Sequence, residues 1–184
     1  MWALLSHNYG SFGHYRHFDV KQLVADPRES KRDRFWRDML AGRRAFACFH
    51  TFEPTERVAI VKEGVPSHFV LVISRNMSIP KDRLYSTIGV ARATMNRKVR
   101  DKKVLNPDES ERVLGIARLV GQVESIVAES GSPKGFDAAK WTAAWLEESQ
   151  PALGGQRPAQ LMDTAEGRAI VSDLIARMQS GAYA

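Results

Sequence analysis

The chain has 184 residues, of which 43% are hydrophobic and 26% are charged. This composition is typical of a folded soluble protein, and the length is sufficient for one domain with a real core. The single cysteine, Cys48, excludes an internal disulfide framework, and the longest run of large apolar residues (69–73) is too short to cross a membrane. The first ten residues make a poor signal peptide, so a cytoplasmic protein without membrane association is predicted.

Basic residues concentrate in one short segment of the sequence. The formal net charge of the whole chain is +6. Residues 83–103 contain seven Lys or Arg and one Asp, whereas residues 104–184 contain seven Lys or Arg and eleven Asp or Glu. Such segregation of charge indicates a polyanion-binding face that is joined to a part with another function.

Residues 1–53 predict an N-terminal extension that is partly disordered or irregular. Its first half is rich in His, Tyr, Phe, Gly and Ser with little periodicity, while residues 26–42 have the cap and apolar stripe of a short helix. His7, His14 and His17 follow no zinc-ligand spacing, so neither a metal site nor another cofactor is predicted.

Apolar residues at helical spacing predict the helices that flank the basic segment. Residues 54–63 predict one short helix, and residues 67–76 predict another, although their β-branched run is also compatible with a strand. A long helix begins at Asn106, which caps it ahead of Pro107, and runs to about Ser130.

Two more helices are predicted near the C-terminus. Asp137 opens one that contains Trp141 and Trp145, which lie one turn apart and are either core anchors or interface contacts. A capping pair, Asp163 and Glu166, opens the last helix. Because no segment shows convincing strand alternation, the predicted fold class is all-α.

The basic segment combines two short helices around a glycine. Residues 81–88 predict the first helix, Gly89 the turn, and residues 91–100 a second helix with Met95 and Val99 on its buried side. Two short helices joined by a tight turn form the helix-turn-helix motif. Glycine suits this turn because it adopts positive φ without steric cost.

The outward face of the second helix carries residue types that read DNA. Arginine suits guanine and asparagine suits adenine, while threonine and lysine suit phosphates. The predicted DNA-binding residues are Arg92, Thr94, Asn96, Arg97, Lys98 and Arg100. Tyr85 departs from the motif because a small residue usually lies four positions before the turn glycine, and Lys98 lies where a buried residue is expected. From this segment alone, an ordinary basic helical hairpin is the alternative.

Two longer strings of the sequence resemble the Xre/ParS/MbcA family of antitoxins, over roughly residues 54–184. The strings are "ATMNRKVRDKKVLNPDESERVLGIARLVGQVESI" and "WLEESQPALGGQRPAQLMDTAEGRAIVSDLIARMQSGAYA". The second is the more specific, because its glycines, prolines and tryptophan recur at fixed offsets. The matching residues are, in order, Thr94, Arg97, Lys98, Leu105, Pro107, Glu109 to Arg112, Trp145, Leu146, Leu153 to Gly155, Pro158, Leu161, Thr164, Gly167, Val171, Leu174 and Gly181.

The resemblance implies a two-part protein. An Xre-like helix-turn-helix domain (54–130) would bind the operator of its own operon. A small helical C-terminal domain (131–184) would bind and block a RES-domain toxin, an enzyme that consumes NAD by hydrolysis or ADP-ribosyl transfer. The resemblance places toxin contact on the last helix and tail, with Arg177, Met178 and Tyr183 as the predicted toxin-binding residues. A terminal helix that only packs on its own core is the alternative.

Together these features predict the antitoxin of a type II toxin–antitoxin module that represses transcription as a homodimer. The alternative is a stand-alone helix-turn-helix regulator whose C-terminal domain dimerises or senses a ligand. An enzyme is not predicted, because the sequence has no phosphate-binding loop, metal-ligand spacing or nucleophile motif. The adjacent Glu147 and Glu148 diverge on a helix and are expected to be a solvated pair.

Overall fold

The structure is a computed structural model that describes residues 46–131 and 135–179. Within these ranges the predicted all-α fold is confirmed. The α-helices are α1 (Phe46–His50), α2 (Pro54–Glu63), α3 (Phe69–Asn76), α4 (Lys81–Thr87), α5 (Arg92–Arg100), α6 (Pro107–Glu129), α7 (Ala138–Leu146) and α8 (Ala165–Gln179), and two short 3₁₀ helices (Pro151–Leu153 and Pro158–Leu161) lie between α7 and α8.

The long helix α6 begins as predicted. The Asn106 side chain accepts a hydrogen bond from the Glu109 amide (2.8 Å), and the Glu109 carboxylate accepts one from the Asn106 amide (3.0 Å). This reciprocal capping satisfies two donors that an open helix end would leave unpaired. The apolar stripe of α6 is buried, with Ile116 and Val120 fully inaccessible to solvent. Burial of each such side chain contributes about 1.5–3 kcal/mol, so α6 forms the centre of the core.

Part of the predicted N-terminal extension belongs to this core. Phe46, Phe49 and Phe52 are buried, and the Ala47 amide donates a hydrogen bond to the Glu124 carboxylate of α6 (2.6 Å). The backbone of α1 approaches α6 so closely that a Cβ built on Gly121 would lie 2.1 Å from the Phe46 carbonyl oxygen. Residues 46–50 of the predicted extension thus form a regular helix, which the sequence did not indicate because five residues are too few to show helical periodicity. The predicted helix at 26–42 lies outside the described residues.

Within the predicted segment 67–76, Phe69–Asn76 form a helix rather than a strand. Phe69, Val70 and Ile73 of α3 are fully buried, so this short helix is apolar on most of its surface. In the described part of the chain, the extended pairing is limited to an isolated antiparallel bridge between Pro66 and Val104. No helix among the described residues is long and apolar enough to span a membrane.

The C-terminal helices pack on α6. Asp137 caps α7 as predicted, since its carboxylate accepts a hydrogen bond from the Lys140 amide (3.2 Å). The rings of Trp141 and Trp145 stack with their centroids 5.8 Å apart, and Trp145 is buried, which favours the core role for that residue.

The last helix, α8, begins with a different cap from the predicted one. Thr164, rather than Asp163, accepts a hydrogen bond from the Gly167 amide through its hydroxyl (3.0 Å). The sequence does not distinguish the two residues, because Asp and Thr are both good caps and stand next to each other. Ser172 and Gln122 exchange two hydrogen bonds that hold α8 on α6. The domain boundaries 54–130 and 131–184 stay predictions.

Candidate nucleic-acid interface and partner-binding surface

The turn between α4 and α5 is built as the sequence predicts. Gly89 has φ +64°, in the left-handed region that glycine adopts without steric cost. Ile88 before it is fully buried. The Arg112 guanidinium of α6 donates hydrogen bonds to the carbonyl oxygens of Gly89 (3.1 Å) and Ile88 (3.4 Å). The turn is therefore fixed on the long helix.

The side chains of α5 divide into an inner and an outer face. Met95 is fully buried, and Val99 packs half-buried against the core. Arg92, Arg97 and Arg100 are exposed, and Thr94 and Asn96 on the same helix are half-buried. The arginines and the asparagine thus face outward on one side of a short helix whose other side is anchored. This is the arrangement that a helix needs in order to enter the major groove.

Two of these three arginines have carboxylate partners. Arg92 forms an ion pair with Asp82 of α4 (3.2 Å), and Arg100 forms one with Asp101 (2.9 Å). The Arg100 hydrogen bond holds the pKa of the Asp101 carboxyl below its usual value. Among the described residues Arg97 has no ion-pair partner, so its guanidinium is the most available of the three for a phosphate or a base.

Lys98 differs from the other predicted DNA-binding residues because the ion pair of its amine, with Glu109 at the start of α6, is largely buried. Only 20% of the Lys98 side chain and 9% of the Glu109 side chain are exposed. The stem of Lys98 fills the position where a buried residue is expected, and its charge is compensated within the fold. The structure therefore gives Lys98 a role in holding α5 on α6.

Tyr85 contacts the outward face directly. The tyrosine is 1% exposed, and its hydroxyl donates a hydrogen bond to the Asn96 side-chain oxygen (3.4 Å). Burial, and to a smaller extent the nearby Asp82, raises the pKa of the phenol above its usual value. The hydroxyl is protonated at neutral pH with or without this shift, so it can donate the hydrogen bond. The sequence indicated Tyr85 as a departure from the motif but gave no sign of its partner.

The C-terminal domain presents its own exposed face on α8. Val171, Leu174 and Ile175 are buried against the core, which agrees with a terminal helix that packs on its own domain. The opposite side is exposed and includes Arg177, and Ile170 on the same helix is 42% exposed. The predicted toxin-binding residue Met178 is 37% exposed, and Tyr183 lies outside the described residues.

A bridge of charged side chains joins the two parts of the chain. Glu147 of α7 pairs with Arg83 of α4 (3.0 Å) and with Arg157 (3.1 Å). The expectation of a solvated Glu147–Glu148 pair is therefore wrong for Glu147, because the packing of the C-terminal helices brings two arginines to its carboxylate. Within the described ranges no group of His, Cys, Asp and Glu is arranged to hold a metal ion.

Comparison with known protein families gives two matches that together cover most of the described residues. Residues 56–118 match the model of the antitoxin Xre-like helix-turn-helix domain. Residues 136–181 match the model of the antitoxin Xre/MbcA/ParS C-terminal toxin-binding domain. The two matched regions are the segment that contains the α4–turn–α5 unit and the segment that contains α7 and α8.

Two curated proteins are similar to most of the chain. The "Prs ADP-ribosylating antitoxin" of Sphingobium sp. (strain YBL2) is 39% identical over 140 residues, which cover 76% of this chain and 88% of that protein. The "Antitoxin Xre" of Yersinia enterocolitica serotype O:8 / biotype 1B (strain NCTC 13174 / 8081) is 30% identical over 134 residues, which cover 71% of this chain and 85% of that protein.

Proposed function

Because the chain belongs to the Xre/MbcA/ParS antitoxin family, we propose that it neutralises a RES-domain toxin with its C-terminal domain and represses its own operon with its helix-turn-helix. The observation that carries the proposal is the separation of the two exposed faces. Cationic side chains project from α5, and a mixed apolar and charged face projects from α8. The helix-turn-helix part therefore has an exposed surface for DNA on α5, and the C-terminal part has a separate exposed surface for the toxin on α8.

The DNA half of the proposal rests on the geometry of α5. The exposed Arg92, Arg97 and Arg100 provide donors for guanine and for phosphates, and Thr94 and Asn96 lie beside them. Lys102 and Lys103 are exposed just beyond the helix and extend the positive surface. A helix-turn-helix protein that reads a palindromic operator does so as a dimer with two equivalent half-sites, so a homodimer is part of the proposal.

The toxin half of the proposal rests on the exposed face of α8 and on the reaction that is mentioned in the name of a similar protein. The name of the Sphingobium protein, "Prs ADP-ribosylating antitoxin", refers to ADP-ribosylation, a reaction that consumes NAD, and this supports an NAD-consuming partner for this chain. Ile170 and Arg177 lie two turns apart on the exposed side of α8, where a single partner surface can contact both. Met178 extends that face, and the chain continues from there to Tyr183.

Substitution on this face tests the toxin half. The full-length chain is co-expressed with the RES-domain enzyme that we propose as its partner, and the complex is captured through a tag on the chain. Ile170→Glu and Arg177→Glu should each reduce capture of the enzyme at least tenfold, because the first introduces a charge and the second reverses one where the partner must approach. Val58→Glu is the matched control, since Val58 is an aliphatic residue on α2 that is 51% exposed.

Two outcomes would contradict the toxin half. Equal capture by the α8 variants and the wild-type chain would mean that the exposed face of α8 does not contact the enzyme. A chain that binds DNA tightly while no enzyme is captured would instead identify a stand-alone regulator.

A further inference from the structure

Two polar contacts connect α4 to the first turns of α5. Asp82 pairs with Arg92 (3.2 Å), and the Tyr85 hydroxyl donates a hydrogen bond to Asn96 (3.4 Å). Asp82 and Tyr85 are three residues apart on α4, and Arg92 and Asn96 are four residues apart on α5. Asp82 and Tyr85 therefore lie on one face of α4, and Arg92 and Asn96 lie on one face of α5. The two contacts join these facing sides one helical turn apart. The first turns of a recognition helix are the part that reaches base edges.

The Tyr85 contact changes what Asn96 can offer to a base. An asparagine that reads adenine uses its oxygen for N6 and its amide nitrogen for N7. Here the oxygen of Asn96 is turned towards the Tyr85 hydroxyl, whose hydrogen bond takes one of its two lone pairs, so the N–H groups on the other side of the amide are the part left for a base. Guanine presents two acceptors, O6 and N7, in the major groove. The hydrogen bond from Tyr85 therefore favours guanine over adenine as the base that Asn96 contacts.

The Asp82 contact restrains Arg92. The Arg92 side chain is 71% exposed, and an exposed guanidinium beside DNA is drawn to the nearest phosphate. One carboxylate oxygen of Asp82 holds it, while the other is buried without a hydrogen-bond partner in the described part of the chain. Buried polar atoms without a hydrogen-bond partner are rare in folded proteins, and the ion pair that the Asp82 carboxylate makes is with Arg92.

We propose that α4 sets the base preference of α5, with Tyr85 and Asp82 as positioning residues for Asn96 and Arg92. Tyr85 turns Asn96 into a donor that selects guanine, and Asp82 keeps Arg92 over the base edges and away from the phosphates. This inference rests on the proposed DNA-binding function and identifies the residues that give it specificity.

Selection from random-sequence DNA tests the role of Tyr85. The full-length wild-type chain, Tyr85→Phe, Asn96→Ala and the double variant are each used to select DNA, and thermal unfolding verifies that each variant is folded. Tyr85→Phe keeps the buried ring and removes only the hydroxyl. It should shift one base pair of the selected site from G·C towards A·T, with a change in relative affinity of roughly fivefold or more. In the Asn96→Ala background the same change should have no effect on the selected sequences.

The salt dependence of binding tests the role of Asp82. Asp82→Asn keeps the size of the side chain and removes its charge, which frees Arg92 for a phosphate. The variant should bind all sequences more tightly, discriminate less between them, and show a salt slope that is steeper by about one.

Three results would overturn the inference. If Tyr85→Phe selects the wild-type sequences while Asn96→Ala does not, Tyr85 does not orient Asn96. If Asp82→Asn leaves the salt slope unchanged, Asp82 does not restrain Arg92. If the wild-type chain itself selects no sequence, the DNA half of the proposed function fails together with this inference, and that result is distinct from the first two.

Discussion

Gly89 in the turn of the helix-turn-helix and Asp163 in the C-terminal domain are in direct contact. A Cβ built on Gly89 would lie 2.7 Å from the Cβ of Asp163, closer than two carbon atoms approach without displacement. The glycine is therefore required twice, for its positive φ and for the space that its missing side chain leaves. The C-terminal domain rests against the turn that orients α5.

The first prediction separates these two requirements. Gly89→Ala should reduce the free energy of unfolding by at least about 2 kcal/mol, because it combines left-handed strain with overpacking. Gly154→Ala is the matched control. Gly154 has nearly the same φ, +63°, but no heavy atom outside its immediate chain neighbours stands within 4 Å of the position that an alanine methyl would take. Gly154→Ala should reduce the free energy of unfolding by only about 1–2 kcal/mol, because it adds the left-handed backbone strain without overpacking. Urea denaturation measures both, and equal losses would mean that the contact with Asp163 has no energetic consequence.

The second prediction concerns the ion pair between Lys98 and Glu109. Lys98→Met should reduce the free energy of unfolding by about 1–3 kcal/mol, because it leaves the largely buried Glu109 carboxylate without its cation. Arg100→Gln should have a clearly smaller effect, because the pair that it breaks is exposed and screened by solvent. Chemical denaturation compares the two. A Lys98 variant as stable as the Arg100 variant would argue that the amine is free for DNA.

The third prediction assigns the contact made by Arg97. Arg97→Ala should weaken operator binding by about 1–3 kcal/mol and relax the preference at one base pair, if the guanidinium reads a base. Lys62→Ala, an exposed cation on α2, should leave binding nearly unchanged. Fluorescence anisotropy with the operator and with single-base variants gives the result. A uniform loss across all sequences, with a shallower salt slope, would identify a phosphate contact instead.

The fourth prediction concerns pH. Burial, and to a smaller extent the positive charge of Arg118, lowers the pKa of His50 below its usual 6.5. Burial, and to a smaller extent the charge of Arg75, lowers the pKa of His68 in the same way. Because the unfolded histidines bind protons more readily than the folded ones, stability should be complete above pH 6.5 and decrease as the pH falls from there towards the folded pKa values. His50→Gln and His68→Gln should each remove part of this decrease. Urea denaturation at a series of pH values measures the slopes, and a chain that gains stability on acidification would refute the assignment.

Local sequence rules predicted the elements whose signals are themselves local. Asn106, Pro107 and Glu109 define the start of α6 through contacts within four residues, and the structure has that cap. Gly89 is likewise predictable, since few other residues adopt its φ. The outward position of Arg92 and Arg97 follows from the helical period once Met95 is recognised as buried.

The parts that were missed depend on contacts between residues far apart in the chain. The ion pair of Arg83 with Glu147 joins residues 64 positions apart in sequence, and no local pattern around either residue indicates the pairing. The hydrogen bond between Tyr85 and Asn96 appears only when α4 and α5 are folded against each other. A sequence pattern gives the face of a helix but not the partner that the face meets.

The decisive measurement for the proposed function is the rate of NAD consumption by the RES-domain enzyme that we propose as the partner of this chain. The purified enzyme is assayed with increasing amounts of the full-length chain. We expect NAD consumption to fall to background when the chain reaches stoichiometric amounts, and the Arg97→Ala variant to inhibit as well as the wild type because the role that we propose for α5 is DNA binding. An enzyme that keeps its full rate in excess of the wild-type chain would contradict the proposal that this protein neutralises it.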